Sequence, residues 1–145
     1  MINKRVAVFV SGRGTNLLAL IEASKRNYLP IDIVLVVTNN KESGGINIAQ
    51  NSGIPVFYLE EDSKTREEYD TILASTCQEN NVDFVILAGW MRVLSSVFIN
   101  NYINKIINIH PALPGAYPGT NAIKKAYNDS QEGKTNITGV MVHMV

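Results

Sequence analysis

Short apolar runs alternate along the chain with stretches of helical periodicity. Val6-Ala7-Val8-Phe9-Val10 is apolar throughout, so Arg5 to Val10 reads as a buried strand. Leu17, Leu20 and Ile21 recur at i, i+3, i+4 and predict a helix from Thr15 to about Asn27. Further strands are expected at Ile31 to Val37, Pro55 to Leu59, Phe84 to Leu87, Ile106 to Ile109 and Ile137 to Val145. Helices are expected near Ile46 to Asn51, Ser63 to Gln78, Ser95 to Tyr102 and Asn121 to Asn128. Gly53 ends the first of these. Residues 128–136 read as a surface loop. Strands that are apolar on both faces and alternate with helices imply an α/β fold: a Rossmann-like, mostly parallel sheet with helices on both faces.

In such sheets ligands bind outside the carboxyl ends of the strands. Three segments follow strand ends. The first is Ser11-Gly12-Arg13-Gly14-Thr15-Asn16, a glycine-rich turn opening a helix. Free backbone N–H groups and the positive helix end favour an anion there. The bland alternative is a tight turn capped by Thr15 or Asn16. A dinucleotide fingerprint needs a third glycine near Leu17 and an acid near Thr38-Asn39, and a Walker A loop needs Gly-Lys-Ser/Thr; none is present. A simple phosphate monoester fits better.

The second segment is Gly89-Trp90-Met91-Arg92-Val93-Leu94. Gly89 allows close approach of a ligand to the backbone. Trp90 and Met91 suit either the flank of a flat ring or core packing, and a lone Arg92 reads by default as a solvated charge. The third segment is Asn108-Ile109-His110-Pro111, running into a proline- and glycine-rich loop. Residues two apart in a strand share a face, so Asn108 and His110 address one cavity. The amide is a fixed donor for a developing oxyanion, and imidazole transfers protons near neutral pH. His143 reads as a structural histidine and Arg66 as half of a surface ion pair.

Composition narrows the chemistry. Thirteen basic and thirteen acidic residues leave no net charge, which argues against a nucleic-acid surface. No run approaches the roughly 18 apolar residues of a membrane span, and the start reads as carrying no signal peptide. The single cysteine, Cys77, excludes an internal disulfide and reads as an inert thiol of a cytoplasmic protein. Two histidines far apart in sequence give no metal-ligand spacing, and no nucleophile has a base at recognisable spacing. Direct transfer between two bound substrates, with no metal, remains.

Four motifs carry a family resemblance across most of the chain: Ser-Gly-Arg-Gly-Thr-Asn-Leu at 11–17, Ser-Lys-Thr-Arg-Glu-Glu-Tyr-Asp at 63–70, Leu-Ala-Gly-Trp-Met-Arg-Val-Leu at 87–94, and Asn108 to Gly119. With them the chain resembles the phosphoribosylglycinamide formyltransferases. The resemblance implies one domain, with a phosphate-binding part at 1–107 and the start of a catalytic and folate part at 108–145. It implies that Gly12, Gly14, Thr15, Asn16 and Gly89 hold the ribonucleotide. Arg66, Met91, Arg92, Val93, Leu94 and Asn108 would contact 10-formyltetrahydrofolate, the co-substrate. His110 would be the general acid/base and Asn108 would stabilise the tetrahedral intermediate. The expected partners are small-molecule substrates, with no nucleic acid and no membrane, and a homodimer is the oligomer considered.

Two departures stand out. The family commonly has His-Pro-Ser-Leu-Leu-Pro where this chain has His-Pro-Ala-Leu-Pro-Gly. It also carries an aspartate a few residues beyond the position of His143. On this basis the chain is expected to be the first two-thirds or so of such an enzyme, with little activity by itself. A 10-formyltetrahydrofolate deformylase would be expected to have His-His-Ser after Asn-Ile, and a methionyl-tRNA formyltransferase Arg-Gly near the loop's end. A non-catalytic ligand-binding module is the remaining alternative.

Overall fold

A computed structural model describes residues 2–145. In chain order the elements are β1 (Lys4–Phe9), α1 (Thr15–Lys25), β2 (Ile31–Thr38), α2 (Gly44–Asn51), β3 (Val56–Tyr58), α3 (Arg66–Glu79), β4 (Phe84–Leu87), α4 (Ser96–Asn101), β5 (Ile106–His110), α5 (Ala122–Gln131) and β6 (Met141–Met144). They form one six-stranded sheet in the order β3-β2-β1-β4-β5-β6. All neighbours are parallel except β5 and β6, which are antiparallel. The expected mostly parallel α/β sheet is therefore present.

Alternation along the central strand explains why both faces are covered. Ala7 and Phe9 join a core with Tyr69, Leu73 and Cys77 of α3 and Phe98 of α4. Val6 and Val8 point the other way, into a core with Leu17 and Ile21 of α1 and Ala49 of α2. Each fully buried Val, Leu, Ile or Phe side chain among these contributes about 1.5–3 kcal/mol. Burial pushes the Cys77 thiol up to about 12, so it stays protonated and unreactive at neutral pH.

Several boundaries move for local reasons. The third helix begins at Arg66, not Ser63, because Thr65 caps it. The Thr65 hydroxyl accepts from the Glu68 N–H, and the Glu68 carboxylate accepts from the Thr65 N–H. The fifth helix runs through the expected 128–136 loop as far as Gln131. The last strand begins at Met141, not Ile137, and Ile137 and Val140 are exposed.

The strand order reverses between β1 and β4. This is the switch point at which α/β sheets open a crevice. The glycine turn after β1 and the 89–95 loop after β4 meet there. The Ser11 N–H donates to the Gly89 carbonyl at 3.0 Å, and the Met91 N–H donates to Ser11 Oγ at 3.0 Å.

Candidate active site

The glycine turn presents a bare helix end. Gly14 is the N-cap of α1, at φ 80°, and no side chain caps the helix. The bland alternative, a turn capped by Thr15 or Asn16, is overturned, because the left-handed cap position is one that glycine fills without strain. Thr15 and Asn16 are instead exposed in the first helical turn, beside exposed Arg13 and Gly12. The uncapped N–H groups need an outside partner.

The amino end of α2 backs onto the same turn. The Ser43 hydroxyl donates to the Gly12 carbonyl at 2.8 Å and accepts from the Gly45 N–H. The fit is tight: a Cβ on Gly14 would lie 2.9 Å from the Gly45 Cα. Gly14→Ala therefore strains the backbone and collides with a neighbouring one. The expected loss is about 1–3 kcal/mol of stability, read from the urea midpoint.

The 89–95 loop is held differently from what its sequence suggested. Trp90 is only 9% exposed and meets Phe9 edge-on at 5.1 Å between centroids, so it packs in the core rather than flanking a ring. Leu94 is also buried, leaving its backbone for any ligand. Met91 and Val93 are 60% and 73% exposed. Arg92 is not a solvated charge. Its guanidinium pairs with Glu61 at 3.0 Å and lies 4.0 Å above the centre of the Tyr69 ring. Partial burial raises the Glu61 pKa, but hydrogen bonds from Asn39 and Arg92 and the Arg92 charge outweigh this and hold it low. Arg66 is exposed and forms no ion pair among the described residues, contrary to the surface-pair reading.

The third segment brings two histidines to one asparagine. Asn108 and His110 lie on one face of β5, and His143 of β6 pairs directly opposite Asn108. A carbonyl only accepts, so His143 Nδ1, 2.9 Å from the Met144 carbonyl, carries its hydrogen. In the neutral ring Nε2 then accepts from Asn108 Nδ2 at 3.0 Å. His143 thus orients the Asn108 amide. The second amide N–H of Asn108 has no protein partner among the described residues and is free to donate. By the same logic His110 Nε2–H donates to the Tyr117 carbonyl at 3.0 Å, which leaves Nδ1 as the ring's lone pair.

β5 lies two strands from β1, so the Asn108–His110 pair stands roughly 10 Å from the glycine turn along the sheet edge. One end of the crevice suits an anion. The other has a proton acceptor and an oriented amide donor. The exposed loop between them offers apolar side chains. Among the described residues no three His, Cys, Asp or Glu side chains cluster as metal ligands, and no helix is long and apolar enough to cross a membrane.

Residues 4–145 match the family model described as formyl transferase. The chain belongs to the formyl transferase family. It is 39% identical over 97% of its length to phosphoribosylglycinamide formyltransferase of Dictyostelium discoideum, and spans 75% of that relative. It is 36% identical over 97% of its length to the human trifunctional purine biosynthetic protein adenosine-3, of which it spans 14%. It superposes on the crystal structure of phosphoribosylglycinamide formyltransferase from Bacillus halodurans with a TM-score of 0.91 and 35% identity, covering 98% of this chain and 72% of that one.

Sequence reasoning about this formyl transferase assigned no role to four side chains that hold the candidate site together, although Ser11 and Asp70 stand in its motifs. Ser11, Asn39, Glu61 and Asp70 all act across long separations. Asp70 is 1% exposed and accepts from the Ser95 N–H, fixing the end of the 89–95 loop. A carboxylate at an inward position of α3 was the available signal.

Proposed function

We propose that the protein transfers the formyl group of 10-formyltetrahydrofolate to the amine of glycinamide ribonucleotide in purine biosynthesis. The observation that carries this reading is the uncapped start of α1 at the switch point, two strands from the Asn108–His110 pair. A phosphate at the helix start would direct the rest of a ribonucleotide along the sheet edge toward that pair. Met91 and Val93 supply exposed apolar surface for the pteridine of the formyl donor. Arg66, exposed at the start of α3, is available to an acidic tail.

The chain's own residues then have distinct tasks. Gly14, Thr15 and Asn16 fix the phosphate. The substrate amine forms a bond to the formyl carbon, and charge develops on the formyl oxygen. The free N–H of Asn108 stabilises that charge. His110 takes the proton released by the amine and returns one to the departing folate nitrogen. The oxygen of the formyl group is retained and no metal is required. The balanced charge and the free thiol of Cys77 favour small-molecule substrates and a cytoplasmic setting.

The test is ligand binding and turnover measured on separate axes. Thr15→Ala with Asn16→Ala removes two side-chain donors at the phosphate. The pair is expected to weaken glycinamide ribonucleotide binding by roughly 30- to 150-fold, at about 1–1.5 kcal/mol for each of the two hydrogen bonds. Calorimetric titration reads the change, and tetrahydrofolate affinity stays as it was. Unchanged ribonucleotide affinity would remove the phosphate assignment. Formylated ribonucleotide formed by the native gene product identifies the reaction.

A further inference from the structure

Resting on that formyl-transfer reading, we infer that Asn39 and Glu61 are positioning residues for the 89–95 loop, acting through Ser11 and Arg92. Neither belongs to the motifs that suggested the site. Asn39 follows β2, and Glu61 lies in the connection between β3 and α3.

Their hydrogen bonds close a ring. The Met91 N–H donates to Ser11 Oγ at 3.0 Å. The Ser11 hydroxyl donates to Asn39 Oδ1 at 2.6 Å. Asn39 Nδ2 donates to the Glu61 carboxylate. Glu61 pairs with the Arg92 guanidinium at 3.0 Å, and the peptide bond from Arg92 back to Met91 completes the circuit.

Every donor direction in the ring is set. Ser11 accepts once and donates once. Asn39 must turn its oxygen to Ser11 and its nitrogen to Glu61. Aspartate at position 39 would face the Glu61 carboxylate with a second charge, so only the amide serves both neighbours.

The ring explains how the loop is held where it is. Met91 and Val93 point their apolar side chains outward, so core packing does not fix those two residues. The ring grips Met91 by its backbone and Arg92 by its side chain. Arg92 also rests on the Tyr69 ring, and the Tyr69 hydroxyl donates to the Leu59 carbonyl, two residues before Glu61. The loop's exposed apolar surface is thereby presented without being buried. Loosening the ring should release the loop and cost affinity for the ligand lying on it. The phosphate turn keeps its separate support from Ser43 and Asn40.

The test compares Glu61→Gln and Asn39→Ala with the parent protein. Glu61→Gln is nearly isosteric and keeps an acceptor for Asn39 while removing the charge opposite Arg92. Each variant is titrated calorimetrically with tetrahydrofolate and with glycinamide ribonucleotide. The expected result is a roughly tenfold loss of tetrahydrofolate affinity, the scale of one hydrogen bond to a charged group. Ribonucleotide affinity should stay within about twofold for Glu61→Gln, because no ring member it disturbs contacts the phosphate. In the native gene product the KM for the formyl donor should rise with kcat little changed.

Unchanged tetrahydrofolate affinity in Glu61→Gln would overturn the inference. Equal losses for both ligands would also overturn it, by making the ring general structural support. If Asn39→Ala fails to fold, Glu61→Gln decides the question by itself. A parent protein that binds glycinamide ribonucleotide but no tetrahydrofolate would instead overturn the formyl-transfer reading, and the positioning role with it.

Discussion

Replacing His110 by alanine is expected to lower turnover of the native gene product by about 10²–10⁴-fold, the range of general acid–base catalysis. Ribonucleotide affinity should move by no more than about twofold. The asymmetry follows from placement. His110 ends β5, two strands from the helix start proposed for the phosphate. Its Nε2–H is committed to the Tyr117 carbonyl, which fixes the ring plane and leaves Nδ1 as the proton acceptor. Alanine removes that acceptor and a restraint on the 111–119 loop together. His110→Gln is the informative control, because its amide nitrogen reaches the position of the imidazole Nε2 and can restore the bond to Tyr117 without accepting a proton at neutral pH. Turnover should stay low in both variants. Recovery in His110→Gln would mean that the histidine orders the loop and does not move protons. Equal losses in turnover and ribonucleotide affinity would mean that it builds the binding surface.

Asn108→Ala is the second large effect. Removing one oriented oxyanion donor costs about 10²–10³-fold in kcat. Because the interaction is made as charge develops, kcat and kcat/KM should fall together with KM nearly constant. Asn108→Asp should not rescue activity. A carboxylate has no N–H for the formyl oxygen, and it would face the lone pair of His143 Nε2. A raised KM with unchanged kcat would reassign Asn108 to substrate binding. Single-turnover measurement separates the chemical step from product release.

The fold was legible where burial made the chain chemically uniform. Val6 to Val10 and Ile33 to Val37 are apolar on both faces because helices cover both sides, and the ends of the two strands were read to within a residue or so. Boundaries slipped where one local contact overrode periodicity, as when Thr65 set the start of α3. The fifth helix outran its expected end because polar residues 128–131 continue a helix anchored earlier by Ala122 and Ala126.

The candidate site was legible where a strand ends in distinctive side chains, as at Asn108, His110 and the glycine turn. It was not legible where the arrangement depends on pairing across the fold. Asn39 drew notice only as the missing acid of a dinucleotide motif. Its bonds to Ser11 and Glu61 span 28 and 22 residues. Asp70 lies close in sequence to Arg66, Glu67 and Glu68 and was given no role, although it is buried against Ser95. No spacing rule connects such partners, because the sheet order that joins them is a property of the whole chain.

The core placement of Trp90 has an optical consequence. It is the chain's only tryptophan, so all indole emission arises at the head of the 89–95 loop, beside Phe9. Met91, the next residue, is both exposed and tied to Ser11. Fluorescence of the unlabelled protein therefore reports on the junction between the loop and the central strand. During unfolding its red shift marks the moment at which water reaches β1. Below that transition, a change in emission on adding a ligand would be a local signal from the loop, with no background from other indoles.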